Sequence, residues 1–404
     1  MLEYVILAAF GCLLGVATGL TPGLHVNTVS MLGLSVYAFL GLNPLEFAVV
    51  AVAMSVTHSF LDFIPGIFLG IPEEDTALSI LPAHRLVLEG RALEAVKLTG
   101  YGCLLGLVFA VLLLPLVVWL VPLVYQPLRK YVVYVISAAA FALMFRESGI
   151  AGKIWALSIF LLSGALGLLT LNMKTVSATY LLFPVFSGMF GLSGILYSLK
   201  DRERAIPQKE YARVRVDGEV VGGGFAGALG GAVIGVLPAM SPSQIGIIMS
   251  SIFRGSQRRF LVSVAAINTS DAVYSLVSLY TIRNARSGVS VMISRVLEMS
   301  YTDLLLLTGI FLLSAFAATY LHIAIGRKAM TYYRLVDYRL VSTVVMAFII
   351  AMVYALVGWF GLLVAVVSTS IGLLPILSGV SRTHLMGVLM VPTILYFVGG
   401  GWGI

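Results

Sequence analysis

Apolar residues recur along this chain in stretches long enough to cross a hydrocarbon core, which takes about 17 to 25 residues in a helix. Stretches such as 111–125 (VLLLPLVVWLVPLVY) are apolar on every face, without the alternation that a membrane strand requires. The pattern predicts helices near 4–20, 28–42, 47–71, 96–123, 131–145, 151–171 and 177–198. A second series follows near 223–240, 244–253, 260–282, 301–325, 340–358, 359–377 and 384–400. The shorter members are expected to be broken or re-entrant. The run at 4–20 has Glu3 where a signal peptide has a basic n-region, so it reads as mature transmembrane structure. The fold class expected is all-α, a multi-pass protein of the cell membrane.

The polar interruptions carry a second regularity. Gly11, Gly15, Gly19 and Pro22 recur as Gly227, Gly231, Gly235 and Pro238, each pair 216 residues apart. Later, Gly164 pairs with Gly372 and Pro184 with Pro392, both at 208. Four matches at one offset point to duplication, and related halves often enclose a transport site. The most polar stretch, 200–219, mixes six basic and five acidic residues and reads as a solvated linker. The organisation expected is a first repeat over 1–199, a linker over 200–222 and a second repeat over 223–404. An odd number of full crossings per half favours inverted repeats.

Composition narrows the function classes. With 60% hydrophobic and 11% charged residues, no water-soluble surface can be built, since soluble domains carry roughly 25% charged residues. The net charge of +7 is spread over short inter-helix segments, which suits anionic headgroups and not nucleic acid. Cys12 and Cys103 both lie in apolar runs, so neither a disulfide framework nor a cysteine metal site is expected. The five His form no HExxH pair and no Walker-type phosphate loop is present, so no cofactor and no metal are expected. The string Gly191-Leu192-Ser193-Gly194 matches the GxSG of intramembrane proteases, with His322 or His384 as the candidate base. In a chain this rich in Gly and Ser it carries little weight, and no catalytic residue is assigned.

Binding chemistry concentrates in three places. GLTPGLHVNT (19–28) and its counterpart GVLPAMSPSQ (235–244) each break an apolar helix and then supply polar side chains. Broken helices at membrane depth must line a cavity or be buried in protein, and half-helix N-termini favour carboxylate or phosphate. Thr21, Pro22, Gly23, His25, Asn27 and Thr28, with Pro238, Ser241, Ser243 and Gln244, are therefore the candidate anion-binding residues. The glycine triplets themselves read better as close helix packing. The stretch 58–82 contributes Asp62, two Pro-centred breaks at Pro65 and Pro72, and the acids Glu73, Glu74 and Asp75. An intramembrane carboxylate is costly and a functional candidate by default, as cation ligand or proton carrier. AAINTSDAVYSLVSLY (265–280) groups Asn268, Thr269 and Asp271, which with Asp62 form the candidate ion-coupling set for Na⁺ or H⁺. Arg283, Arg286 and Arg382 could supply positive charge, although most such residues snorkel to the interface.

These same elements resemble the large permease subunit of the tripartite tricarboxylate transporters, the TctA family. The resemblance rests on GLTPGLH (19–25), LGIP (69–72), EGRALEAVKLTGYG (89–102), SGMFGLSGIL (187–196) and AINTSDA (266–272). It implies an ion-coupled secondary transporter of di- or tricarboxylates, working with a small membrane subunit and a substrate-binding protein. The chain departs from the family where G-I-P-E-E-D stands at 70–75 and where the Glu of a Glu-Asn segment is missing. The paired breaks also resemble families that return polyprenyl-phosphate lipid carriers across the membrane, so a lipid-phosphate translocase is the alternative. The partners expected are the bilayer, a small anion or lipid phosphate, and either those subunits or a second copy of the chain.

Overall fold

The first turns of several helices are fixed by local chemistry. Asn43 accepts from the amides of Leu45 and Glu46, and Glu46 accepts from the Asn43 amide at 2.8 Å, a closed capping box ahead of Pro44. Ser256 caps the corresponding start in the second half through the Arg259 amide. In the computed structural model, the described residues are 2–21, 26, 29–30, 33–34, 41–69, 77–129, 131–171, 173, 178–198, 208–236, 245–246, 256–333 and 338–399.

Most of those residues are helical. In chain order, α1 is Leu2–Leu20, α2 Pro44–Leu61, α3 Phe63–Leu69, α4 Ala77–Leu88 and α5 Ala92–Arg129. Then come α6 Val132–Phe145, α7 Gly149–Leu171 and α8 Ala178–Phe186. A π-helical turn over Ser187–Leu192 leads into α9, Ser193–Ser198. The second half holds α10 Gly218–Val236, α11 Gln257–Ile282, α12 Gly288–Ser294, α13 Tyr301–Tyr333 and α14 Tyr338–Ser378. A 3₁₀ turn over Arg382–Met386 and α15 Gly387–Val398 complete it. Among the described residues, nine helices are long and apolar enough to cross a membrane, and the chain is a multi-pass membrane protein.

Glycine sets the closest contacts. A Cβ on Gly11, Gly15 or Gly19 would fall within 2.9 Å of α2 atoms, at Val50 and Ala53, Met54 and Thr57, and His58 and Leu61 respectively. Gly227, Gly231 and Gly235 meet α11 in the same way, at Ser263 and Ala266, Ser270 and Asp271, and Tyr274. The backbone atoms touched, Met54 N against Ile267 N and His58 N against Asp271 N, differ by 213, as do the caps Asn43 and Ser256. The α1–α2 and α10–α11 pairs therefore pack in one register, with small residues letting backbones approach.

The two pairs run in opposite senses. Gln257 donates to Pro82 O, Arg258 lies 3.8 Å from Glu94 and 3.6 Å from Asp217, and Arg91 bridges Glu89 and Glu94, so α5, α10 and α11 all begin at one charged face. The Glu94 hydrogen bond comes first among the causes that raise the Arg91 guanidinium above its usual value. Ile67 O meets His84, which belongs to the same face. Ser59, eight residues earlier, meets Cys103 and Asn268, each eleven residues inside a helix that starts there. The α2–α3 segment thus runs toward the charged face while α11 runs away from it.

Two boundaries differ from the expectation. The helix expected over 47–71 is divided at Asp62, whose amide closes α2 onto His58 O before Pro65 removes a donor from the next turn. Helix α10 begins at Gly218, inside the 200–222 stretch expected as linker, while most of the described residues over 208–217 are exposed. Asp217 caps α10 at 218 through the amides of Glu219 and Val220. Gln208, buried, donates to Val87 O and accepts from the Ala92 amide. The long helix α14 changes direction at Gly358 (φ 71°, ψ −155°), between the expected 340–358 and 359–377.

Candidate functional site

The site is built where α2 breaks. Asp62 ends α2, is almost fully buried, and accepts a hydrogen bond from Asn268 Nδ2 of α11 at 3.3 Å. The same amide group lies 3.4 Å from Ser59 O, which also receives the Cys103 thiol at 3.6 Å. Thr269 donates to Cys103 O at 2.8 Å, so α2, α5 and α11 are tied together around one carboxylate. Eleven residues at 1.5 Å each put this cluster about 16 Å from the charged face, near the middle of a hydrocarbon core about 30 Å thick.

Of the expected ion-coupling residues, Asp62 and Asn268 touch, and Thr269 stands beside them with its hydroxyl already committed to α5. Asp271 lies one turn on, where its backbone nitrogen packs against Gly231. Thr21 closes the last turn of α1 by donating to Ala17 O at 2.7 Å. Pro22, Gly23, His25, Asn27, Thr28, Pro238, Ser241, Ser243, Gln244 and the acids 73–75 lie outside the described residues. The helices leading to both Pro motifs are described to Leu20 and Val236, and Gly19 sits directly against Leu61 and the Asp62 amide. Helix α1 therefore ends against the buried carboxylate.

Sequence reasoning passed over His58. It lies one turn before Asp62, buried, with Nδ1 3.1 Å from Thr18 Oγ1 of α1. The signal was present as two ionisable residues at i and i+4 on one apolar helix. His322 of α13 donates from Nε2 to Val96 O at 2.9 Å, with Thr99 Oγ1 at 3.1 Å, joining α13 to α5.

The protease reading finds no geometry among the described residues. Ser193 Oγ donates to Met189 O at 2.6 Å and accepts from Arg382, while His384 binds Glu147 and His322 binds Val96. A nucleophile needs its base within hydrogen-bond reach. The described residues also include no group of three His, Cys, Asp or Glu able to hold a metal ion.

A helical bundle of membrane-length, glycine-packed helices around a buried carboxylate defines a polytopic α-helical membrane protein. The model of the tripartite tricarboxylate transporter TctA family matches residues 5–387, and the chain belongs to that family. It is similar to an uncharacterized protein of Methanocaldococcus jannaschii, 29% identical over 415 residues that cover 99% of each chain. No solved structure matches.

Proposed function

We propose that the protein is an ion-coupled secondary transporter that moves a small organic anion, such as a di- or tricarboxylate, between two inverted repeats. Asp62 is the coupling carboxylate and Asn268 its sensor on the opposite half. The observation that carries this reading is the Asp62–Asn268 contact, in which a costly mid-membrane charge is held by a residue from the other glycine-packed pair. Cation binding or protonation at Asp62 changes what Asn268 can donate to, and so shifts α2 relative to α11. The anion is proposed to bind the polar residues of the two Pro motifs at 19–28 and 235–244, whose sequence suits half-helix ends with partial positive charge. Na⁺ and H⁺ are the candidate coupling ions. Family membership makes a tripartite assembly, with a small membrane subunit and a binding protein, the first arrangement to reconstitute.

The test is uptake of labelled citrate and succinate into proteoliposomes under imposed Na⁺ or H⁺ gradients, with and without Asp62→Asn. Gradient-driven uptake should be lost in the variant while its folding is unchanged. Equal uptake by both proteins would remove Asp62 from the mechanism.

A further inference from the structure

We infer that Arg382 forms an oxyanion-binding site, for a carboxylate or phosphate group, between the 3₁₀ turn that carries it and the π-helical turn over Ser187–Leu192. Its Nη2 donates to Ser193 Oγ at 2.9 Å and to Phe190 O at 3.4 Å, both neutral acceptors. Its Nε is sealed from solvent and has no hydrogen-bond partner. No described carboxylate lies within ion-pair distance of it. Glu147, the acid that bonds to this segment from the α6–α7 connection, is already occupied by the Ser381 amide at 2.9 Å and His384 Nε2 at 2.8 Å. Arg91 and Arg258, by contrast, each face carboxylates.

A half-buried guanidinium given only neutral acceptors keeps a charge that no protein carboxylate offsets, which favours binding of an anion. Its planar guanidinium carries further N–H donors beyond those given to Ser193 and Phe190, and these suit the oxygens of a carboxylate or phosphate. The π turn supplies the second element. π-helical turns are rare and occur often at functional sites, and Arg382 bonds to residues of this turn and the next. Phe186, Met189 and Phe190 share an apolar cluster with Ile234 and Ile245, on either side of the Pro238 motif in sequence, so the site adjoins the segment proposed to bind the anion. It does not depend on that segment, and an Asp62→Asn protein inactive in uptake should still bind at Arg382.

Full-length protein is titrated in detergent with citrate and with inorganic phosphate, following the melting temperature. In nanodiscs, retained phosphatidylglycerol is counted by native mass spectrometry. At least one probe should bind, with affinity weakened tenfold or more in Arg382→Gln and less in Arg382→Lys, which keeps the charge but not the fork. Response to citrate or phosphate alone identifies a free anion, and response to phosphatidylglycerol alone identifies a lipid headgroup. Binding unchanged in Arg382→Gln, or no binding of any probe, overturns the assignment. If Arg382→Gln does not fold, phenylglyoxal labelling of the unmodified protein decides: the probe should slow modification of Arg382 at least threefold without changing Arg91. Equal labelling with and without all probes also overturns it.

Discussion

Asn268 Nδ2 and Asp62 Oδ2 lie 3.3 Å apart although 206 residues separate them in the chain. Each belongs to the buried partner of a glycine-lined helix, α2 under α1 and α11 under α10, so the contact is also a contact between the two helix pairs. Because Ser59 O is shared by Asn268 and Cys103, a change at the carboxylate reaches α5 as well.

Asp62→Asn keeps the shape and the hydrogen-bonding capacity of the side chain but removes its charge. Folding should be retained, with a melting temperature equal to or above that of the parent, because an intramembrane charge is costly. Asn268→Ala instead withdraws a buried donor from Asp62 and should destabilise by about 1–3 kcal/mol. Thermal unfolding in detergent separates the two, and a less stable Asp62→Asn beside an unaffected Asn268→Ala would refute the pairing.

Much of this arrangement was legible in the chain, for reasons that can be located. Asp62 and Asn268 stood out because polar residues in apolar runs are rare, and the 216-residue spacing of Gly11 and Gly227 pointed to matched packing. Their meeting was not legible, because sequence order does not say which helices become neighbours. The swap in which α5 packs on α11 while α13 packs on α2 is a tertiary fact. His58 was overlooked because a lone His on an apolar face is usually a satisfied core residue. The hydrogen bond to Thr18 that sets it apart comes from another helix. The π turn at Ser187–Leu192 has no simple sequence signature. Pro22, Pro238 and the candidate binding residues that follow them lie outside the described residues, so their roles rest on sequence alone.

Gly15 and Gly309 should respond in opposite directions to a larger side chain. A Cβ at Gly15 would come within 2.6 Å of both Met54 O and Thr57 Cβ, so Gly15→Val forces α1 off α2 and should cost about 1–3 kcal/mol or more. Gly309, in the interior of α13, has nothing within 4 Å of the added atom, so Gly309→Ala should gain about 0.5–1 kcal/mol from helix propensity. Denaturation midpoints of the two variants check this, and a neutral Gly15→Val would mean the helices are not in contact.

Gly358 isolates backbone conformation from packing. Its φ of 71° and ψ of −155° lie where essentially only glycine is stable, yet an added Cβ would meet nothing within 4 Å. Gly358→Ala should therefore cost about 1–3 kcal/mol by strain alone. A companion change of a neighbouring bulky residue, Val357→Ala, should not rescue it. Melting temperatures of the single and double variants provide the measurement, and rescue would transfer the cause to sterics.

Glu147 holds the segment that carries Arg382. One of its oxygens, Oε1, accepts both the Ser381 amide and His384 Nε2, and His384 is almost fully buried. Glu147→Ala leaves both donors without that acceptor and should destabilise by about 1–3 kcal/mol, the cost of one unsatisfied buried group at His384, with less from the half-exposed Ser381 amide. Glu147→Gln keeps an oxygen in place but not its charge. Hydrogen bonds to an ionised acceptor are roughly twice as strong as neutral ones, so about half of that loss should remain. The order of melting temperatures should be parent, then Gln, then Ala. The same order should appear in hydrogen exchange at the Ser381 amide, because freeing Glu147 exposes that donor first. Equal exchange in all three proteins would show that the carboxylate does not anchor the turn.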